Sequence, residues 1–110
     1  MRVEVASTVL SRFRGLLGRD EYPHILLLFP CNDIHTFGMR FAIDVAFVSG
    51  EGVVIEAYRG IGVRRRLRCR AARATLERMS SEARWYEPGD SIDLKQIVKE
   101  ATHEAKRRSR

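Results

Sequence analysis

The chain has 110 residues, 45% of them hydrophobic and 31% charged, with a formal net charge of +6. This length is one domain, long enough to bury a core without a disulfide scaffold. The longest apolar run, Ile25 to Phe29, is far below the roughly 20 residues of a membrane span, and the start, Met1 to Ala6, has no signal-peptide apolar region. A soluble cytoplasmic protein is expected, with its 2 cysteines, Cys31 and Cys69, reduced.

Residues 2–6 alternate as a short strand, with Val3 and Val5 on one face. Ser7 or Thr8 then offers a helix cap. Val9, Leu10, Phe13, Leu16 and Leu17 fall on one helical stripe, and Gly18 is a stop for it. Residues 25–29, bounded by Pro23 and Pro30, read as a buried strand.

Residues 42–48 and 53–58 form the clearest hairpin. Ile43, Val45 and Phe47 point one way, and Asp44, Ala46 and Val48 the other. Ser49-Gly50-Glu51-Gly52 makes the turn. Residues 59–73 read as an exposed connection with an edge strand. Residues 71–79 are ambiguous, since their composition favours helix while Thr75, Glu77 and Met79 alternate as a strand would. A short helical turn is expected from Ser80 or Ser81 through Tyr86. Glu87-Pro88-Gly89-Asp90 is a turn. Asp93 and Gln96 have capping-box spacing for a helix from about 94, with Ile97, Val98, Ala101 and Ala105 as a thin apolar stripe and a frayed basic end. The expected organisation is one β-rich domain over 1–94, followed by a basic helix or tail over 95–110.

The segment 34–47 concentrates polar residues in an apolar setting. His35, Thr36, Met39, Arg40 and Asp44 make a candidate ligand pocket, with Glu77 as a further member. On an extended chain Arg40 and Asp44 share a face, so an Arg40–Asp44 pair is expected, serving either architecture or an anionic ligand. Cys31, Asp33 and His35, with His24 and Cys69, are metal-ligand types, but no CxxC or HxxxH spacing is present, so no metal or cofactor is expected. Cys31 with His35 has the residue types of a thiol nucleophile and its base, but an extended chain holds them about 13 Å apart. Asp44, Glu77 and Asp90 are the acid–base candidates, and nothing in their spacing shows that they meet. Whether the chain is an enzyme stays open.

Arginine supplies all but 3 of the 20 basic residues. Arg64, Arg65, Arg66, Arg68, Arg70 and Arg73 form a cluster that would contact a polyanion nonspecifically. The cluster lacks the interleaved aromatics of single-strand binders.

Several pieces resemble the bacterial and archaeal domain-of-unknown-function family 192. They are Arg14-Gly15-Leu16-Leu17-Gly18-Arg19, Leu28-Phe29, Ile34-His35-Thr36-Phe37-Gly38-Met39-Arg40, Ile43-Asp44-Val45-Ala46-Phe47, Gly52-Val53-Val54, Leu76-Glu77 and Pro88-Gly89-Asp90. The resemblance covers about residues 3–94. It implies a compact, barrel-like α+β domain with a helix near the N-terminus, and it implies that residues 73–79 are a strand. It supplies no activity. Ala42 stands where the family often has proline, and Arg78-Met79-Ser80-Ser81 where it often has a Pro-Ala-Gly-like turn.

The residues together predict a monomeric or weakly associating binding domain. Its ligand is a small molecule or a partner segment held near 35–44. The alternative is a basic module that touches nucleic acid or another polyanion through Arg64–Arg73.

Overall fold

The computed structural model describes residues 2–6 and 15–108. Its main sheet has five strands in the order β1-β2-β7-β4-β5. They are β1 (Val3–Ala6), β2 (Ile25–Leu28), β4 (Ile43–Val48), β5 (Val54–Ile61) and β7 (Ala74–Met79). The strands β3 (Asp33–His35) and β6 (Arg66–Arg68) pair separately as a two-stranded ribbon. One helix, α1 (Leu94–Arg108), follows. β1 runs parallel to β2, and every other pairing is antiparallel.

Period-two alternation gives the main sheet two apolar faces. Ile43, Val45 and Phe47 of β4 share one face with Leu26, Leu28 and Ala6, and it packs against Leu16, Ile34, Met39, Cys69 and Ala72. Ala46 and Val48 share the other with Ile25, Leu27, Val54, Ala74 and Leu76, and it packs against Trp85 and Leu94. All of β4 is buried because both of its faces are covered. Residues 74–79 are a strand for the same reason. Leu76 and Glu77 are buried on opposite faces, and that two-sided burial overrides a local composition that favours helix.

The α+β expectation holds in its coarse form, as a mostly β domain with a C-terminal helix. The barrel-like form does not. Among the described residues β1 and β5 are open edges of the sheet, and the ribbon is a separate sheet. Each apolar face is covered by its own layer, the ribbon side by Ile34 and the other by Trp85 and α1, so burial does not require closure. The expected N-terminal helix lies largely outside the described residues. Residues 15–18 form a turn, with Gly15 and Gly18 both at positive φ.

The expected 42–58 hairpin is present, with Ala46 opposite Ala57 and register shifts at Ile43/Val45 and Phe47/Val48. Gly52 takes φ 85° in its turn, and a Cβ there would collide with the Ile92 carbonyl. The helix begins where its cap predicts. The Asp93 carboxylate accepts a hydrogen bond from the Gln96 N–H at 3.0 Å. Ile97 and Val98 then pack against the second face.

The expected helical turn over 80–86 is absent, and the segment runs in bends without helix. Its carbonyls are taken by side chains instead. Arg59 donates to Ser81 O and Ala83 O, and Arg78 donates to Ala83 O and Arg84 O.

Candidate functional site

The segment 34–47 crosses the molecule, and the structure distributes its polar residues among different surroundings. Thr36 is buried beneath the loop that joins β5 to β6. Its hydroxyl donates to Gly62 O at 2.8 Å and accepts from the Arg65 N–H at 2.8 Å. Its own N–H donates to Arg65 O. Met39 is a core residue on the ribbon side. Arg40 is exposed and pairs with Asp20 at 2.6 Å.

Asp44 is fully buried, and its partner is Arg78. The register decides this, because Asp44 stands directly opposite Arg78 across β4 and β7. The Arg78 Nε donates to Asp44 Oδ2 at 2.8 Å. The other Asp44 oxygen accepts from the Gly60 N–H and the Ser80 hydroxyl, each at 2.9 Å. Gly60 reaches it because the β4–β5 register shifts between Ile43 and Val45, and Gly60 turns there through φ 63°. The Arg78 guanidinium lies 4.6 Å from the centre of the Trp85 ring. The Trp85 indole donates to Val45 O. Burial pushes the Asp44 carboxyl up, but the hydrogen bonds from Gly60, Arg78 and Ser80 outweigh it and hold it below the usual carboxylate range. Each Asp44 oxygen is engaged by the protein itself, as a structural ion pair requires.

Glu77 adjoins this pair in sequence but lies on the opposite face of the sheet. It stands opposite Val45 on β4 and Leu26 on β2. It is buried, and its Oε2 has no hydrogen-bond partner among the described residues. Burial pushes its carboxyl up to about 8. Asp90 belongs to the 87–90 turn, where its carboxylate accepts from the Glu87 N–H. The three carboxylates thus occupy three separate environments.

The thiols are free, and burial raises both above the ordinary cysteine value. A raised thiol is a poor nucleophile. The Cys31 thiol donates to Asp33 O at 3.5 Å, while His35 points outward from the ribbon and is exposed. Among the described residues no three His, Cys, Asp or Glu side chains are grouped to hold a metal ion.

The outward face of the ribbon does collect residues from both expected sets. In its register Asp33 faces Arg68, Ile34 faces Leu67 and His35 faces Arg66. Alternation turns Ile34 inward and leaves His35, Arg66 and Arg68 exposed. The next outward residue, Phe37, is 54% exposed. Its ring centre lies 5.8 Å from that of His35. The loop clamped by Thr36 adds Val63, 49% exposed, and the exposed Arg64 and Arg65. Arg64 is held at φ 62°. Asp33 is the acidic member. Arg66 grips it with two hydrogen bonds, at 2.6 and 3.0 Å, and holds its carboxyl below the usual range.

The sequence cluster of arginines divides here. Arg64, Arg65, Arg66 and Arg68 belong to the ribbon and its loop, Arg70 to the turn after it, and Arg73 lines a cleft beside α1. The aromatic missing from the cluster in sequence is supplied by Phe37, in the turn that follows β3. Arg78 was invisible as a site residue for a related reason, since it becomes the partner of Asp44 only through a long-range register.

Two crystal structures share this fold. One, of a protein of unknown function from Novosphingobium aromaticivorans, is 20% identical with a TM-score of 0.74, covering 86% of this chain and 75% of that one. The other, of a putative transcription regulator from Sinorhizobium meliloti, is 18% identical with a TM-score of 0.70, covering 81% and 78%. At such identities the likeness is one of fold. No curated protein matches the chain. The family model of DUF192, described as "Uncharacterized ACR", matches residues 1–94, the span that carries the sheet, the ribbon and the Asp44–Arg78 pair, and the chain belongs to that family.

Proposed function

We propose that the protein is a binding module whose outward ribbon face takes a single-stranded nucleic acid. The observation that carries this reading is the exposed Phe37 ring beside His35, next to the ribbon and loop that bear Arg64, Arg65, Arg66 and Arg68. Arginines supply phosphate contacts, and an exposed aromatic supplies a stacking platform that any base can use. The arrangement contains no recognition helix or base-reading motif, so binding is sequence-tolerant. His35 acts as a ligand contact in this reading, and Thr36 positions the loop that bears Arg64 and Arg65. The structure from Sinorhizobium meliloti is described as a putative transcription regulator; that description belongs to that protein and agrees in kind with a nucleic-acid partner.

The test is fluorescence anisotropy of a labelled oligothymidine at rising salt. Affinity is expected to fall with a log–log slope of about −0.7 per phosphate contacted. Reversing Arg64, Arg65 and Arg68 to glutamate should flatten that slope. Phe37→Ala should weaken binding by about 5- to 100-fold, the worth of one stacked base, and leave the slope unchanged. An affinity indifferent to salt, or to both sets of changes, would remove the proposal.

A further inference from the structure

A cleft of about 400 Å³ lies between the first turns of α1 and the loops around Phe29, Gly50 and Arg73. Its apolar lining is Phe29, Leu94 and Val98, and its charged lining is Arg73, Lys95 and Lys99. No acidic side chain lines it. We propose that this cleft binds a medium-chain carboxylate anion, with the alkyl chain against Phe29, Leu94 and Val98 and the carboxylate at the three cations.

The volume falls within the roughly 300–1,000 Å³ of small-molecule sites. The charges select the sign of the ligand. Lys95 and Lys99 stand one helical turn apart on the same side of α1, and Arg73 approaches from the sheet side, so three cations converge on one apolar hollow. The next hollow along α1 lacks this selectivity, because Glu100 and Glu104 line it together with Lys99 and Arg107.

The cleft is also composite. Phe29, Gly50 and Arg73 belong to the span matched by the family, which ends at residue 94, whereas Lys95, Val98 and Lys99 come from beyond it. The site therefore needs residues of α1 beyond the span matched by the family. It is independent of the ribbon, and either reading can fail without the other.

The test is a titration of the full-length protein with decanoate, followed by ¹H–¹⁵N NMR. Saturable shifts are expected at the amides of Gly50, Val98 and Lys99 well below the micelle-forming concentration. Decyltrimethylammonium should give none. Lys95→Glu/Lys99→Glu exchanges two exposed charges and should weaken decanoate at least 10-fold while the thermal melt by circular dichroism keeps its midpoint. Binding of decanol as tight as decanoate, undiminished binding to the double variant, or shifts that appear only with micelles would overturn the proposal.

Discussion

Glu77 occupies a position that chemistry alone would give to an apolar residue. It sits in the middle of β7, with Leu26 and Val45 as its cross-strand neighbours, and its Oε2 finds no partner among the described residues. A carboxylate without a partner in such a place sheds its charge by binding a proton. Its folded-state value near 8 lies above the ordinary 4.5. The consequence for stability follows from linkage. Between about 4.5 and 8 the unfolded chain releases this proton while the folded one keeps it, so stability falls as pH rises through that window. Above it both states are ionised and the loss is complete. Glu77→Gln has the same shape and no titration. It should match the wild type near pH 4 and exceed it by an amount that grows toward pH 8.5, on the order of several kcal/mol. Urea unfolding at the two pH values measures the difference. A gap that does not widen with pH would show that the folded protein holds this carboxyl ionised.

The segment 80–86 shows how one buried residue shapes an element. Arg78 bonds Asp44 with its Nε and the carbonyls of Ala83 and Arg84 with its outer nitrogens, which draws the segment over the sheet and places Trp85 on the guanidinium. Arg78→Met would leave Asp44 buried and unpaired and release 80–86 from the sheet. A loss of about 3–5 kcal/mol is expected. Arg40→Ala breaks only the exposed pair with Asp20 and should cost under about 1 kcal/mol. The sequence points to the opposite ranking, because Arg40 is four residues from Asp44 and Arg78 is far along the chain. Equal losses in urea unfolding would contradict the register that joins Asp44 to Arg78. The same contrast separates what the residues reveal from what they hide. Local patterns suffice for the 42–58 hairpin, with its alternation and glycine turn, and for the start of α1, with Asp93 as its cap. The pairing of Asp44 with Arg78 and of His35 with Arg66 depends on strand registers over long sequence distances, and composition carries no information on those. His35 was legible as part of a site, but the face it shares became visible only once β3 was paired with β6.

At the scale of the whole molecule, the question is what α1 contributes. No helix among the described residues is long and apolar enough to cross a membrane, and α1 is polar along most of its length, with Leu94, Ile97 and Val98 turned to the second core face. Leu94 falls on the last residue matched by the family, and it is buried beside Trp85. Cutting the chain after Leu94 would therefore keep both faces of the sheet largely covered. The shortened chain should still fold as one unit. What it loses is the half-burial of Ile97 and Val98 and the ion pair from Arg2 to Glu104, 3.8 Å long and exposed. A fully buried aliphatic side chain is worth about 1.5–3 kcal/mol and an exposed ion pair almost nothing, so two half-buried ones predict a loss of about 1.5–3 kcal/mol in urea unfolding. An unchanged midpoint would mean that the helix does not rest on the sheet in solution, and the cleft beside it would then lack its Lys95 and Lys99 wall. Failure of residues 1–94 to fold would mean the reverse, that the second face of the sheet depends on α1 for its cover and that the boundary of the folding unit lies beyond the boundary of the family.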